Sequence, residues 1–180
     1  MDFFNILLAK KLSGGGDIVG YFLEGYSPNP TNMRVKITIP KGITEIESNA
    51  FYNKTPRIVK AELPDVITIR SGGFKSCEYL EEIEMPKIVT LEASAFESCR
   101  IIKTFDLPAT ITTIGAKAFY DTRALVDFYC RATTPPTIKY DTFTSSGVQN
   151  IYVPAGSVNT YKSANVWYSL ASKIKAIPEE

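Results

Sequence analysis

The stretch Leu107 to Phe128, LPATITTIGAKAFYDTRALVDF, shows the unit from which the chain is built. Its central mark is a phenylalanine that follows a small residue, Ala118-Phe119. The same mark recurs every 22 to 24 residues, at Phe51, Phe74, Phe96, Phe119 and Phe143. Small residues precede the first four of these phenylalanines, and Thr142 precedes the fifth. A fixed period of this length predicts stacked, repeating coils rather than a fold with one continuous pattern of helices and strands.

A second mark runs in step with the first. An apolar residue is followed by proline at Ile39-Pro40, Leu63-Pro64, Met85-Pro86, Leu107-Pro108 and Val153-Pro154. The missing member of the series falls at Cys130-Arg131, and Ile177-Pro178 continues it. Apolar residues two positions apart, such as Ile83 and Met85, predict a short strand with one buried face, because alternate residues share a face. Proline removes a ladder donor and fixes φ, so each strand is expected to end there.

A single coil of this size buries too little apolar surface to be stable alone, so the coils must stack on one another. The strands then lie parallel, about 4.8 Å apart, and their connections are expected to be right-handed. The sequence therefore predicts a mostly β solenoid with a parallel sheet, irregular or short helical returns and about six to seven rungs. We expect each repeat to place its phenylalanine in one buried, stacked column.

The segment from about residue 35 to 178 resembles the BspA-like class of leucine-rich repeats. The resemblance lies in the positions that recur in order: proline, isoleucine, Ala-Phe, cysteine or threonine, and leucine. Pro86 to Phe105 is a clear example of the order in which these residues recur. The resemblance implies a leucine-rich-repeat solenoid. It also implies a role like that of adhesins and other surface interaction proteins, which is binding, and it supplies no catalytic residues.

The two ends of the chain depart from the repeat. Residues 1–16 combine an apolar helix with a glycine hinge, and residues 17–180 form the solenoid with its caps. The N-terminal cap spans 17–34, with a strand at Ile18 to Leu23 and a turn from Gly25 to Asn32. The C-terminal cap spans 155–180, where a helical closure begins near Ser157, a candidate N-cap. Its aromatic residues, including Trp167, are expected to close the last coil.

Composition excludes several functions. The chain has 20 basic and 19 acidic residues and no run of like charge, so nucleic acid is not expected as a partner. Histidine is absent, which removes the usual general base of hydrolases and the commonest metal ligand. Cys77 and Cys99 share one repeat position and are interpreted as buried core thiols. We predict no enzyme activity, no cofactor, no metal site and no membrane-spanning segment.

The exposed positions of the predicted sheet indicate the binding site. Between the buried residues of each strand lie, after Thr38, three carboxylates and then two tyrosines: Glu62, Glu84, Asp106, Tyr129 and Tyr152. Neighbouring like charges in a ladder are unfavourable unless a cation, a basic partner or a polar ligand meets them. The alternative is a solvated face on which Lys60 and Lys103 relieve the repulsion. The predicted ligand is a host-surface glycan or a basic protein surface.

The first residues carry a separate prediction. An apolar helix over residues 1–13 would expose Phe3, Phe4, Ile6, Leu7, Leu8 and Leu12. So short a helix must bury this surface, either on another protein as an assembly anchor or on the first coil as part of the cap. Met1 to Gly16 resembles the leader of structural proteins of gut-bacterial phages, which implies a virion component, capsid- or tail-associated. The alternative is an adhesin on the bacterial cell surface, and a homo-oligomer is a further prediction.

Overall fold

The computed structural model describes residues 22–24, 34–52 and 57–179. The helix and glycine hinge predicted for residues 1–16 lie outside this range, as does the turn predicted from Gly25 to Asn32. The strands are β1 Phe22–Glu24, β2 Arg34–Thr38, β3 Glu45–Ile46, β4 Arg57–Glu62, β5 Thr68–Ile69, β6 Glu82–Glu84, β7 Thr90–Leu91, β8 Thr104–Leu107, β9 Thr113–Ile114, β10 Asp127–Cys130, β11 Asn150–Val153 and β12 Ile174–Ala176. One α-helix, α1, spans Val158–Ser163, and 3-10 segments span Ala155–Ser157 and Trp167–Lys173.

The first four coils, counted from β2, each contribute one longer strand and one two-residue strand to two parallel ladders. The longer strands form the strand face, in the orders β1-β2-β4-β6 and β8-β10-β11-β12. The two-residue strands form the other ladder, in the order β3-β5-β7-β9. We call this ladder and the turns that carry the phenylalanines the return side. All pairings are parallel except that of β1 with β2. The mostly parallel β architecture predicted from the repeat is confirmed.

The phenylalanine column is also confirmed. Phe51, Phe74, Phe96, Phe119 and Phe143 stack in order, with centroid separations of 4.8, 5.5, 5.9 and 5.5 Å. Each ring is at most 9% exposed. From β8 onward a second column begins, because Phe105 and Phe128 occupy the inward positions that hold Ala61 and Ile83 in the strands before them. Phe105 meets Phe96 and Phe119 edge to face, at 4.8 and 4.7 Å.

Residues with left-handed backbone conformation recur beside the phenylalanines of the column. The residues two before Phe51, Phe74, Phe96 and Phe119 have positive φ, and only one of them is glycine: Asn49, Gly72, Ser94 and Lys117. The residues two after four of the phenylalanines also have positive φ: Ser76, Ser98, Asp121 and Ser145. The N–H of each of the first four phenylalanines donates to a carbonyl of the next coil, as from Phe96 to Ala118 at 2.9 Å. Backbone hydrogen bonds thus replace helical structure on the return side.

The buried cysteines behave as predicted for core residues. Cys77 donates from Sγ to the carbonyl of Phe51, and Cys99 to that of Phe74, both at 3.3 Å. Burial raises the pKa of the Cys77 thiol to about 12, so this group stays a neutral thiol. Thr122, at the equivalent position, donates to the carbonyl of Phe119 at 2.7 Å. Three successive coils therefore place a small buried donor at this position, whereas the hydroxyl of Ser146 in the next coil is buried without a hydrogen-bond partner among the described residues.

The C-terminal segment packs under the last phenylalanine. Trp167 lies 6.4 Å from Phe143 between ring centroids and donates from Nε1 to the carbonyl of Pro136. Tyr161 meets Trp167 edge to face and is buried, whereas Tyr168 is 54% exposed. The predicted helical closure is interrupted rather than continuous, because Val166 has φ of 65° between α1 and the 3-10 segment. Ser157 is the N-cap residue of α1, as predicted, although its side chain makes no capping hydrogen bond.

Candidate binding surface

The register of the strand face brings the predicted site residues into one row. Tyr129 pairs with Asp106 on one side and with Tyr152 on the other, and Glu62 pairs with Glu84. We call these five residues the strip: Glu62, Glu84, Asp106, Tyr129 and Tyr152. Thr38 continues the row at one end, where it pairs with Glu62. Lys175 of β12 extends the row at the other end, where sequence analysis did not place a residue.

Cations from neighbouring positions accompany the carboxylates. Lys36 lies 2.6 Å from Glu62, and Lys60 lies 2.6 Å from Glu84. The hydrogen bond from Lys36, aided by one from Thr38, holds the pKa of Glu62 below its ordinary value. Hydrogen bonds to Glu84 and Glu82 raise the pKa of Lys60. The predicted relief of charge repulsion by Lys60 is therefore present. Lys103, the second lysine predicted to relieve this repulsion, lines a cleft together with Glu84 and Asp106.

Asp106 and Arg131 form a bidentate pair, with nitrogen to oxygen distances of 2.8 and 2.7 Å. The sequence marked Arg131 only as the residue that replaces a repeat proline, and its contact with Asp106 was missed. Both side chains are about half exposed. A bidentate pair of this kind fixes the orientation of both groups at the surface.

The tyrosines form the other end of the strip. Tyr129 and Tyr152 stack with centroids 4.7 Å apart and an angle of 21° between the rings. Arg131 Cζ lies 6.0 Å from the Tyr129 centroid. Beside them, Lys175 donates to Asn150, which donates to Asp127, each at 2.7 Å. Partial burial raises the pKa of Tyr129, so its hydroxyl remains a neutral donor and acceptor at neutral pH.

The strand face is interrupted in the middle of the strip. Among the described residues no backbone hydrogen bond joins β6 to β8, although both strands pair with their other neighbours. We call this interruption the seam. A cleft of about 700 Å³ opens there, lined by the strip residues Glu84 and Asp106 and by Glu81, Glu82, Ile83, Ile101, Lys103 and Thr104. The repeat pattern gave no indication of it, because the strand residues on both sides keep the period.

The described residues contain no group of three His, Cys, Asp or Glu residues able to hold a metal ion. The carboxylates of the strip lie in a ladder on an open sheet face. Within the described part of the chain, no helix has the length and apolar character needed to cross a membrane.

With this geometry established, comparison with known proteins identifies the family. The model for the BspA type leucine rich repeat region matches residues 30–126, in six copies. The chain belongs to this family. No curated protein sequence matches it. The match confirms the repeat class that the sequence resembles, and the family is one of binding or structural proteins.

Solved structures share the fold of this leucine-rich-repeat protein. A leucine rich repeat protein of T. pallidum has 20% identity and a TM-score of 0.60, with 74% of this chain and 70% of that chain covered. A leucine rich cell surface protein of Faecalibacterium prausnitzii has 22% identity and a TM-score of 0.61, with coverage of 87% and 42%. The pneumococcal vaccine antigen PcpA has 15% identity and a TM-score of 0.51, with coverage of 87% and 52%. The chain thus spans about half or less of the last two.

Proposed function

We propose that the protein is a non-catalytic binding module whose strip contacts a partner on an exposed biological surface. The single observation that carries this proposal is the register of the strand face, which pairs Glu62 with Glu84 on one side of the seam and aligns Asp106 with the stacked Tyr129 and Tyr152 on the other. Tyrosine and arginine are enriched at the centres of protein interfaces, and both stand in this row or beside it. The side chains are held by neighbours and lose little freedom on binding.

A protein partner fits the strip better than a glycan does. A sugar stacks on the open face of an aromatic ring, and Tyr129 has Tyr152 on one face and Arg131 beside the ring. The strip exposes ring edges, hydroxyl groups and the Asp106–Arg131 pair. These groups can form hydrogen bonds with a polar polypeptide surface. Of the two predicted ligand classes, we therefore favour a polar or basic protein surface over a host glycan.

The proposed location is the bacterial cell surface. Support comes from the similar proteins that are described as a cell surface protein and a vaccine antigen. The virion proposal rests on Met1 to Gly16 alone, where a phage-like leader would supply the assembly anchor. Removal of residues 1–13 separates the two roles of that segment. Loss of particle or oligomer assembly with an unchanged melting temperature supports the anchor, and a lowered melting temperature supports the cap.

We further propose a right-handed solenoid of about six to seven rungs, capped by residues 17–34 and 155–180. Pairing of β1 with β2 and the packing of Trp167 near Phe143 support the two caps. In this proposal the caps shield the apolar ends of the stack. A crystal structure tests the handedness and the rung count.

The test of binding compares two double variants. Asp106→Ala with Tyr129→Ala changes the strip, and Glu97→Ala with Tyr120→Ala makes the same chemical change on the return side. Labelled proteins are incubated with intact bacterial cells and with purified virions. We expect the strip variant to bind at least about tenfold more weakly, the loss of one interface hot spot. The control variant should bind like the wild type, and the strip variant should melt within about 4 °C of it.

Pretreatment of the target cells distinguishes the ligand classes. Protease should abolish binding if the partner is a protein, whereas periodate should abolish it if the partner is a glycan. Unchanged binding by the strip variant would overturn the proposed function, whatever the chemistry of the target.

A further inference from the structure

We propose that the cleft at the seam receives an arginine side chain from an extended segment of the partner protein. The inference rests on the proposed function, because Glu84 and Asp106 belong both to the strip and to the cleft. It adds a specific anchor to a surface that otherwise offers only a flat row of side chains. Interface anchors are commonly single side chains that fill a preformed pocket.

The first support is the free backbone at the seam. In a parallel ladder the N–H and C=O of one residue point to the same neighbour, and those of the next residue point to the other. The Leu63 N–H donates to the carbonyl of Glu84 at 2.8 Å. The backbone N–H and C=O of Glu84 therefore point toward β4, and those of Ile83 point toward β8. The N–H of Met85, the residue equivalent to Leu63, has no backbone partner among the described residues. The seam therefore presents a backbone donor, from which a carbonyl of the partner's extended segment can accept a hydrogen bond while the arginine of that segment enters the cleft.

The second support is the apolar surface in the cleft. Ile83 is only partly buried, whereas the inward residues of the neighbouring strands, Ala61 and Phe105, are buried. Ile101 is 37% exposed in the same lining. An arginine has a long aliphatic stem that packs on such surface while its guanidinium reaches polar groups.

The third support is hydrogen-bond complementarity. Four carboxylates line the cleft against one ammonium, that of Lys103: Glu81, Glu82, Glu84 and Asp106. These carboxylates already pair with cations, but Lys60 contacts only one oxygen of Glu82 and one of Glu84. Ionised carboxylates accept hydrogen bonds and donate none, so the occupant must be rich in donors. Exposed ion pairs contribute little and exchange readily, which lets an incoming guanidinium share these acceptors.

The test is an NMR titration with N-acetyl-arginine N-methylamide, a probe that needs no partner protein. We expect a dissociation constant of about 1 mM, which is reasonable for a ligand of this size. The largest amide shifts should fall on Ile83, Met85, Thr104 and Asp106. The citrulline analogue has nearly the same shape without the charge and should bind at least about fivefold more weakly. Equal binding of both probes, or shifts that scatter over the return side, would overturn the proposal.

Variants of the cleft sharpen the result. Glu82→Gln with Glu84→Gln should weaken binding of the arginine probe by about five- to tenfold. The control, Glu78→Gln with Glu97→Gln, makes the same change in net charge away from the cleft and should leave binding of the probe unchanged. Lys103→Met removes the competing ammonium and should tighten binding by about two- to fivefold. Failure of the probe with intact partner binding through Asp106 and Tyr129 would reject the cleft alone. Partner binding that is unchanged in the Asp106→Ala, Tyr129→Ala variant would instead reject the proposed function.

Discussion

The return side and the strand face stack the same coils, yet only the strand face is interrupted. Between the third and fourth coils, counted from β2, β7 still pairs with β9, and Ser94 and Phe96 still donate to the next coil. On the strand face, β6 and β8 share no backbone hydrogen bond. The comparison teaches that the third and fourth coils are joined by the return side and its phenylalanine column, while the strand face between them lacks backbone hydrogen bonds.

The seam coincides with a change in the core. Before it, the inward positions of the strand face hold Ile37, Ala61 and Ile83, and after it they hold Phe105 and Phe128. Phe105 is inserted edge to face between two rings of the phenylalanine column. We attribute the seam to this larger side chain, since a close-packed core transmits a change of volume to the backbone around it.

The largest expected effect belongs to the return side. Phe96→Ala should lower the free energy of unfolding by about 3 to 5 kcal/mol, because the ring is fully buried and contacts three other phenylalanines. Chemical denaturation monitored by circular dichroism measures the loss. A loss below about 1 kcal/mol would show that the column does not hold the coils together.

Asp121 tests the return side at the seam itself. It accepts hydrogen bonds from Arg123 at 2.6 Å and, from the preceding coil, from Arg100 at 2.9 Å. Asparagine tolerates the positive φ of this position, so Asp121→Asn removes mainly the charge. We expect a loss of about 1 to 3 kcal/mol at pH 7, measured by urea denaturation.

The wild type and the Asp121→Asn variant should also differ in how their stability changes with falling pH. Arg123, with Arg100, lowers the pKa of Asp121 in the folded state. The stability that this carboxylate contributes is therefore fully present above the unfolded-state pKa of about 3.9 and is lost as the pH falls through the folded value. The difference in unfolding free energy between wild type and Asp121→Asn should narrow below about pH 4. A difference that stays constant down to pH 2 would show that the charge of Asp121 contributes nothing.

A smaller loss of stability is expected for substitution of Ile83 at the seam, and Ile37 in β2 provides the matched control. Both occupy the inward position of a strand, but Ile37 is fully buried and Ile83 is only partly buried. Ile37→Ala should cost about 2 to 4 kcal/mol, and Ile83→Ala about 1 kcal/mol or less. Thermal denaturation of the two variants side by side gives the comparison, and equal losses would contradict an open seam.

Much of the fold follows from the sequence because the repeat constrains the same positions many times. The phenylalanine column, the strands that end near proline and the buried thiols all follow from residues that recur in order. The turns of the return side were not predictable in this way. They place Ser94, Lys117 and Asp121 in the left-handed region, where non-glycine residues are uncommon, so no residue type announced them.

The candidate site was predictable only in part. Alternation along each strand identified which side chains share a face, and parallel register placed them in one row. The contacts around the row depend on side-chain reach across coils, so Lys36, Arg131 and Lys175 escaped notice. The seam depends on how Phe105 packs against two distant rings, which a repeat pattern does not encode.

Amide hydrogen exchange at Leu63 and Met85 tests the central claim most directly. Both residues precede a proline at the end of a strand, and they differ in their backbone contacts. The Leu63 N–H donates to Glu84 at 2.8 Å, while the Met85 N–H faces the seam. We predict that Met85 exchanges at least about a hundredfold faster than Leu63, as expected for an amide outside a stable ladder. Equal protection of the two amides would show that β6 and β8 are paired in solution and would contradict an open strand face.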